Sequence, residues 1–158
     1  MTGIEVEQRE PQSVVSVRQS VAIAELTQAQ GASLHELWGF LRERGIKPAG
    51  PPFVRYHTFG DDETDLEVGV PVVDAVAGRG QVTAGELPGG RVVVTIHEGG
   101  HDRLAEAYAR LQEGVVAHGS PAGPAWEVYE WIDLTTQPDV SAWPAPADWR
   151  TQLIQPIS

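Results

Sequence analysis

Pro48-Ala49-Gly50-Pro51-Pro52-Phe53-Val54-Arg55-Tyr56 returns as Pro121-Ala122-Gly123-Pro124-Ala125-Trp126-Glu127-Val128-Tyr129, 73 residues on (48 to 121), with five identities and an aromatic residue kept at Phe53 and Trp126. A match at one fixed offset implies a supersecondary unit written twice. Upstream of the first copy stand Leu34, Leu37, Trp38 and Leu41, and upstream of the second Leu104, Ala107, Tyr108 and Leu111. Both sets have i, i+3, i+4, i+7 spacing, which puts the apolar side chains on one helical face. Ser33 with Glu36 three residues later reads as a capping box that starts the first helix. Gly45 and Gly119 suit the two helix ends, because glycine takes the left-handed conformation at no steric cost.

Before each helix lies a β-branched run, residues 13–17 and 91–96, and after each repeated tyrosine a polar stretch leads to another strand, residues 65–72 and 150–157. The unit is therefore β-α-β-β, twice. Two such units pair into one antiparallel sheet with both helices packed on one face. The other face, near the pseudo-twofold axis, is expected to form a groove. The fold class is α+β, with one domain over residues 1–158, repeat one at about 4–73 and repeat two at about 80–157.

A chain of 158 residues falls within the one-domain range. A net charge of −11 with 11 Lys+Arg leaves few groups to neutralise phosphates, which argues against nucleic acid as a direct partner. The acidity reads first as solubility, and it also favours cationic ligands. Cysteine is absent, so disulfides and thiol chemistry are excluded. The segment from Met1 to Glu7 has no basic stretch followed by an apolar run, and nothing approaches membrane-spanning length. A cytoplasmic protein without membrane association is the default expectation, and a homo-oligomer is left open.

Strand alternation sends Glu127, Tyr129 and Trp131 to one face and Trp126, Val128 and Ile132 to the other. With the apolar set on the helices, the Glu127 face looks into the groove. A carboxylate there loses hydration, its pKa rises, and it holds a cation among aromatic rings or acts as general base on a water molecule. Glu130, on the opposite parity, marks a bulge or a strand end. In the repeat Val54 takes the position of Glu127 and Tyr56 that of Tyr129, so the groove has two related tyrosines and one carboxylate. Glu67, on the alternate face of the strand at 65–72, is a further groove candidate. Residues 134–149 form a long Pro- and Ala-rich connection where the first copy has only 60–64, and its Trp143 is placed to cover the mouth.

His97-Glu98-Gly99-Gly100-His101 satisfies the H-E-x-x-H pattern of zinc proteases. That chemistry needs a helix, so that the two histidines share a face. Adjacent glycines cost a helix interior about 2 kcal/mol, and the preceding valines read as a strand, so the segment is read as the turn opening the second helix. No metal and no cofactor are expected.

With the duplication, Asp65-Leu66-Glu67-Val68-Gly69-Val70-Pro71-Val72, Leu87-Pro88-Gly89-Gly90, His97-Glu98-Gly99 and Trp126-Glu127-Val128-Tyr129 in this order, the chain resembles the GyrI-like small-molecule-binding domain over about residues 4–157. The superfamily includes effector-binding domains of AraC- and MerR-type regulators, and no helix-turn-helix segment is recognised here, so the expectation is a standalone member. The resemblance implies that Glu127 of the Glu-x-Tyr motif projects into an aromatic pocket and meets cationic or polar ligand groups. It also assigns residues 97–101 to the family's His-x-Gly turn. Family members often carry tyrosine where this chain has His101, and tryptophan near Gly114 or Val115. These departures bear on the pocket wall and on helix packing.

The resemblance implies binding of small hydrophobic, cationic or aromatic molecules, in multidrug-type recognition, sensing or sequestration. Tyr56, Tyr129, Trp131, Glu67 and Trp143 would serve beside Glu127. Two alternatives come with it. One is a hydrolase that opens reactive cyclopropane-containing antibiotics, giving antibiotic resistance, with Glu127 as base. The other is an inhibitor of a partner such as DNA gyrase. The sequence leaves open whether the protein is an enzyme.

Overall fold

The computed structural model describes residues 3–158; Met1 and Thr2, which open the segment read for a leader, lie outside the described residues. The first repeat comprises β2 (Gln12–Ala22), α1 (Leu26–Arg44), β3 (Phe53–Phe59) and β4 (Glu63–Pro71). The second comprises β6 (Gly90–Glu98), α2 (Leu104–His118), β7 (Trp126–Tyr129) and β8 (Arg150–Pro156). Each helix is entered through a short 3-10 turn, Ile23–Glu25 or His101–Arg103. Two further strands, β1 (Ile4–Arg9) and β5 (Val82–Leu87), extend the edges, which the sequence reading did not anticipate.

All pairings are antiparallel, and the strand order is β1-β6-β8-β7-β3-β4-β2-β5. The halves meet at β3 and β7, where Phe53 faces Val128, Val54 faces Glu127 and Arg55 faces Trp126. Val54 and Glu127 are also the equivalent residues of the two repeats. The pseudo-twofold axis therefore passes between them.

Both helices lie on one face, α1 over β2, β4 and β5 and α2 over β1, β6 and β8. Leu34, Leu37, Phe40 and Leu41 of α1 close over Val15, Val17, Leu66, Val68 and Val70, while Ala107, Leu111 and Val115 of α2 close over Val93 and Leu153. Burial of such side chains stabilises by about 1.5–3 kcal/mol each. The opposite face is also apolar. There Val14 and Leu87 share a cluster with Val92, Val94, Phe53, Trp126 and Ile154. Strands that far apart in the order meet only because the sheet curls on itself.

This second core overturns one expectation. The helices cover the Glu127 face, and Trp126 and Val128 point into the curled face instead. Alternation fixed which residues share a side, but with both sides apolar it does not say which one the helices take. The site therefore lies on the helix-bearing face, in the central strip between α1 and α2, and not on the far face.

Two helix boundaries also differ. The first helix begins at Leu26, and Ser33 is buried inside it, where Gln19 Nε2 donates to its hydroxyl at 3.3 Å. Once nucleated, a helix extends through residues such as Gln28, Ala29 and Gln30 at little cost, so an internal Ser-x-x-Glu does not start one. Gly45 ends α1 in the left-handed conformation (φ 63°), with the Ile46 N–H bonded back to Leu41 O at 2.9 Å. Gly119 is instead extended (φ 162°). Glycine fits there because a Cβ would come within 2.5 Å of the Ser158 carbonyl oxygen.

Candidate functional site

Glu127 is 3% exposed and stands on the sheet axis. Tyr108 of α2 donates its hydroxyl to Oε2 at 2.5 Å, and Tyr129, two residues along β7, donates to Oε1 at 2.8 Å. The third tyrosine of the chain, Tyr56, accepts from Gln30 Nε2 of α1 at 3.0 Å. Its hydroxyl lies within electrostatic reach of Glu127 and Tyr129. All three tyrosines of the sequence thus gather around one carboxylate. Among the described residues no lysine, arginine or histidine pairs with it.

Burial pushes the Glu127 carboxyl above the ordinary carboxylate range, and the two tyrosine hydrogen bonds work against that rise. The phenols are raised as well, chiefly by burial and then by the negative charge of Glu127. They remain neutral donors at any ordinary pH. A deeply buried carboxylate costs several kcal/mol of lost hydration, which two hydroxyl donors only partly offset.

From this group an aromatic row runs outward. Tyr129 stacks on Trp131 (4.9 Å between centroids, 23° between planes), Trp131 on Trp149 (4.5 Å, 3°), and Trp143 meets Trp149 edge-on (6.5 Å, 78°). His101 abuts Tyr129, Trp131 and Trp149 within 5.5 Å and bonds through Nε2 to Thr151 Oγ1 at 2.9 Å. Burial, then His97, lowers the pKa of His101, so its imidazole is neutral at pH 7. On the first-repeat side the row is short: Tyr56 meets Phe59 edge-on at 5.4 Å.

The structure brings Glu127, Tyr129, Tyr56 and Trp131 together and puts Trp143 at the far end of the row. Trp131 lies beyond β7, which ends at Tyr129, so it reaches the row through the turn and not as a strand residue. Glu130, bonded by Gln152 Nε2 at 3.1 Å, marks that strand end. Glu67 is not part of the group. It lies on the curled face, where Ser16 Oγ donates to it at 2.6 Å and His57 Nε2 meets it at 2.7 Å. Its parity in β4, opposite to Leu66 and Val68, puts it behind the sheet.

Three participants escaped the sequence reading. Tyr108 was counted with the apolar face of the second helix; the signal available was that a buried tyrosine hydroxyl needs a partner. Trp149 lies on the 134–149 connection, where the sequence assigns it no role, and His101 reads from sequence as part of the 97–101 turn and as a departure from the family, not as a member of the site. It supplies the wall between Tyr129 and the tryptophans. At Gly114 any larger side chain is excluded, since a Cβ would lie 2.7–2.9 Å from Ile4 and Val93. The unanticipated β1 fills that space.

The zinc-like string is a turn. His97, next to the last residue of β6, bonds the Gly100 carbonyl at 2.8 Å, Gly99 is left-handed (φ 105°), and His101 opens the 3-10 turn before α2. The two imidazoles share no helical face.

The doubled β-α-β-β unit in one antiparallel sheet is the architecture against which the sequence comparison is read. The chain matches the GyrI-like small molecule binding domain over residues 2–133 and belongs to that family. Comparison with curated proteins gives no match. Among solved structures, the fold is similar to EcmrR in its DNA complex (20% identity, TM-score 0.79), covering 99% of this chain and 57% of that one. The chain thus spans little over half of that protein's length. It is similar to the EcmrR C-terminal domain (21%, TM-score 0.74, 100% of this chain and 98% of that one). A hydrolase from Listeria innocua (11%, TM-score 0.66, 99% and 92%) and SAV2435 bound to tetraphenylphosphonium (11%, TM-score 0.61, 98% and 93%) share the fold. Among the described residues no helix is long and apolar enough to cross a membrane.

Proposed function

We propose that this chain binds small hydrophobic cations, with Glu127 as the counter-charge and Tyr56, Tyr108, Tyr129 and Trp131 as the surrounding surface. The observation that carries the reading is a carboxylate 3% exposed, held by two neutral hydroxyls and by no cation among the described residues. A bound cation supplies the missing charge, and the electron-rich ring faces add to the attraction in a desolvated site. The net charge of −11 draws cations toward the protein. SAV2435, which shares the fold, is bound to tetraphenylphosphonium, a ligand of this chemistry. Sensing and sequestration both follow from such binding.

Calorimetric titration with tetraphenylphosphonium and with uncharged triphenylphosphine oxide tests the reading. The cation is expected to bind more tightly, and Glu127→Gln to weaken it at least about tenfold. Equal binding of both compounds, or an unaffected variant, sinks it.

A hydrolase reading has one observation in its favour, a carboxylate of raised pKa directly beside hydroxyl donors. In that case Glu127 takes a proton from water as its oxygen bonds to a cyclopropane carbon. The ring C–C bond breaks, and its electron pair passes to a conjugated carbonyl that a tyrosine hydroxyl protonates. Both carboxylate oxygens already accept from tyrosines, which favours binding over base catalysis. Ring opening of a cyclopropane-containing alkylator by substoichiometric protein, abolished in Glu127→Gln, decides for the enzyme.

A further inference from the structure

Trp149 sits in the aromatic row as a ligand ring would. Its indole is 4.5 Å from Trp131 and within 3° of parallel, and Trp131 in turn covers Tyr129, whose hydroxyl is on Glu127. The rings around this stack are turned against it: His101 at 47°, 69° and 71° to its three members, and Trp143 at 78° to Trp149. Edge-on rings framing parallel ones define a slot one ring thick, and Trp149 is the ring at its outer end.

Besides the stack and the edges of His101 and Trp143, little ties that ring to the body of the protein. Its indole N–H donates to Pro144 O at 3.0 Å, within the same connection, and the residues from Pro144 to Asp148 are exposed. The main chain is anchored separately, through Gly99 N–H to Trp149 O at 2.8 Å. A side-chain rotation therefore takes the indole out of the slot while β8 stays in place.

We infer that the ligand of this site is a flat fused-ring cation that replaces the indole of Trp149 on Trp131 and directs its charge to Glu127, with Trp149 as built-in competitor. The inference rests on the reading of Glu127 above and adds to it the shape of the ligand and the residue that selects it. An internal competitor lowers apparent affinity by the fraction of molecules whose slot is open, so its removal tightens binding.

Ethidium, which is planar, and tetraphenylphosphonium, which has the same charge on four rings splayed tetrahedrally, separate shape from charge. Titrated into the full chain, ethidium is expected to bind about fivefold or more tighter than tetraphenylphosphonium, and Trp149→Ala to raise ethidium affinity by about fivefold or more. Unchanged or weaker ethidium binding in Trp149→Ala makes Trp149 a bystander or a wall and overturns the inference. So does a wild-type preference for tetraphenylphosphonium. Trp149→Leu, which keeps bulk but not the stack, gives the same reading if the alanine variant does not fold. Glu127→Gln keeps the two claims apart. Full affinity there with a gain in Trp149→Ala leaves the slot standing and removes the carboxylate reading; loss there with no gain does the reverse.

Discussion

The two repeats agree in their frame and differ at their centre. Each has a strand entering a helix through a 3-10 turn, a leucine-lined helical face, and a Pro-Ala-Gly-Pro segment delivering an aromatic residue and then a tyrosine. At the axis, however, one copy presents Val54 and the other Glu127. On the helices, the first copy has Trp38, with the Arg42 guanidinium over its ring, where the second has Tyr108 on the carboxylate. The first copy turns from β3 to β4 at residues 60–62, whereas the second runs through residues 130–149 and brings three tryptophans, Trp131, Trp143 and Trp149, into the aromatic row. The shared tyrosines flank the centre from both copies, while the carboxylate and the Tyr108 that bonds it come from the second copy alone.

Val54→Glu attacks that difference most directly. A second carboxylate opposite the first, on the same buried strip, is expected to cost about 4 kcal/mol of unfolding free energy at pH 7. Part of the loss should return on acidification, because two carboxylates in one site share protons. Urea denaturation at pH 7 and pH 5 measures both; wild-type stability at pH 7 would contradict the placement on the axis. Leu41→Ala and Leu111→Ala remove equivalent, fully buried side chains from the two helices. Each should lose about 3 kcal/mol, and a difference of more than about half that would show that the halves are not packed alike.

The tyrosines separate more finely. Tyr108→Phe and Tyr129→Phe each strip a donor from a buried carboxylate, for an expected cost of about 1–3 kcal/mol, whereas Tyr56→Phe gives up its bond from Gln30 and leaves both donors of the carboxylate in place, about 0.5–1 kcal/mol. Equal losses in thermal or urea melts would make the site symmetric after all. The smallest effect is one of pH. Folding raises the Glu127 pKa through burial, so the folded state holds its proton to higher pH than the unfolded one. This group's penalty is absent below the ordinary carboxylate value and grows as pH rises through the folded-state value. Glu127→Gln should flatten that slope in a stability–pH profile. Cation affinity runs the other way, falling as acid protonates the group.

The repeat, the two helices and the pairing of Glu127 with Tyr129 were legible because each is a matter of spacing along the chain. The side of the sheet was not. Phe53, Trp126 and Val128 are as apolar as the residues under the helices, and only the curl of eight strands decides which set is enclosed by the sheet itself. Glu67 was misplaced for the same reason. Tyr108 and Glu127 are brought together by the packing of a helix on a sheet, and Trp149 reaches Trp131 through a connection with no periodicity to read. The Ser33 signal was real chemistry in the wrong place, since a serine and a glutamate three apart also occur inside helices.

The axial pair has a consequence for how such a site can arise. In an assembly of two separate, identical chains with this register, the residue on the dyad faces its own twin, about 4.5–5.5 Å away. Glutamate there would come as two carboxylates contending for one proton, and valine as two valines. A solitary charge on a symmetry axis becomes available only once both units are spliced into one polypeptide, so that a mutation alters one side and spares the other.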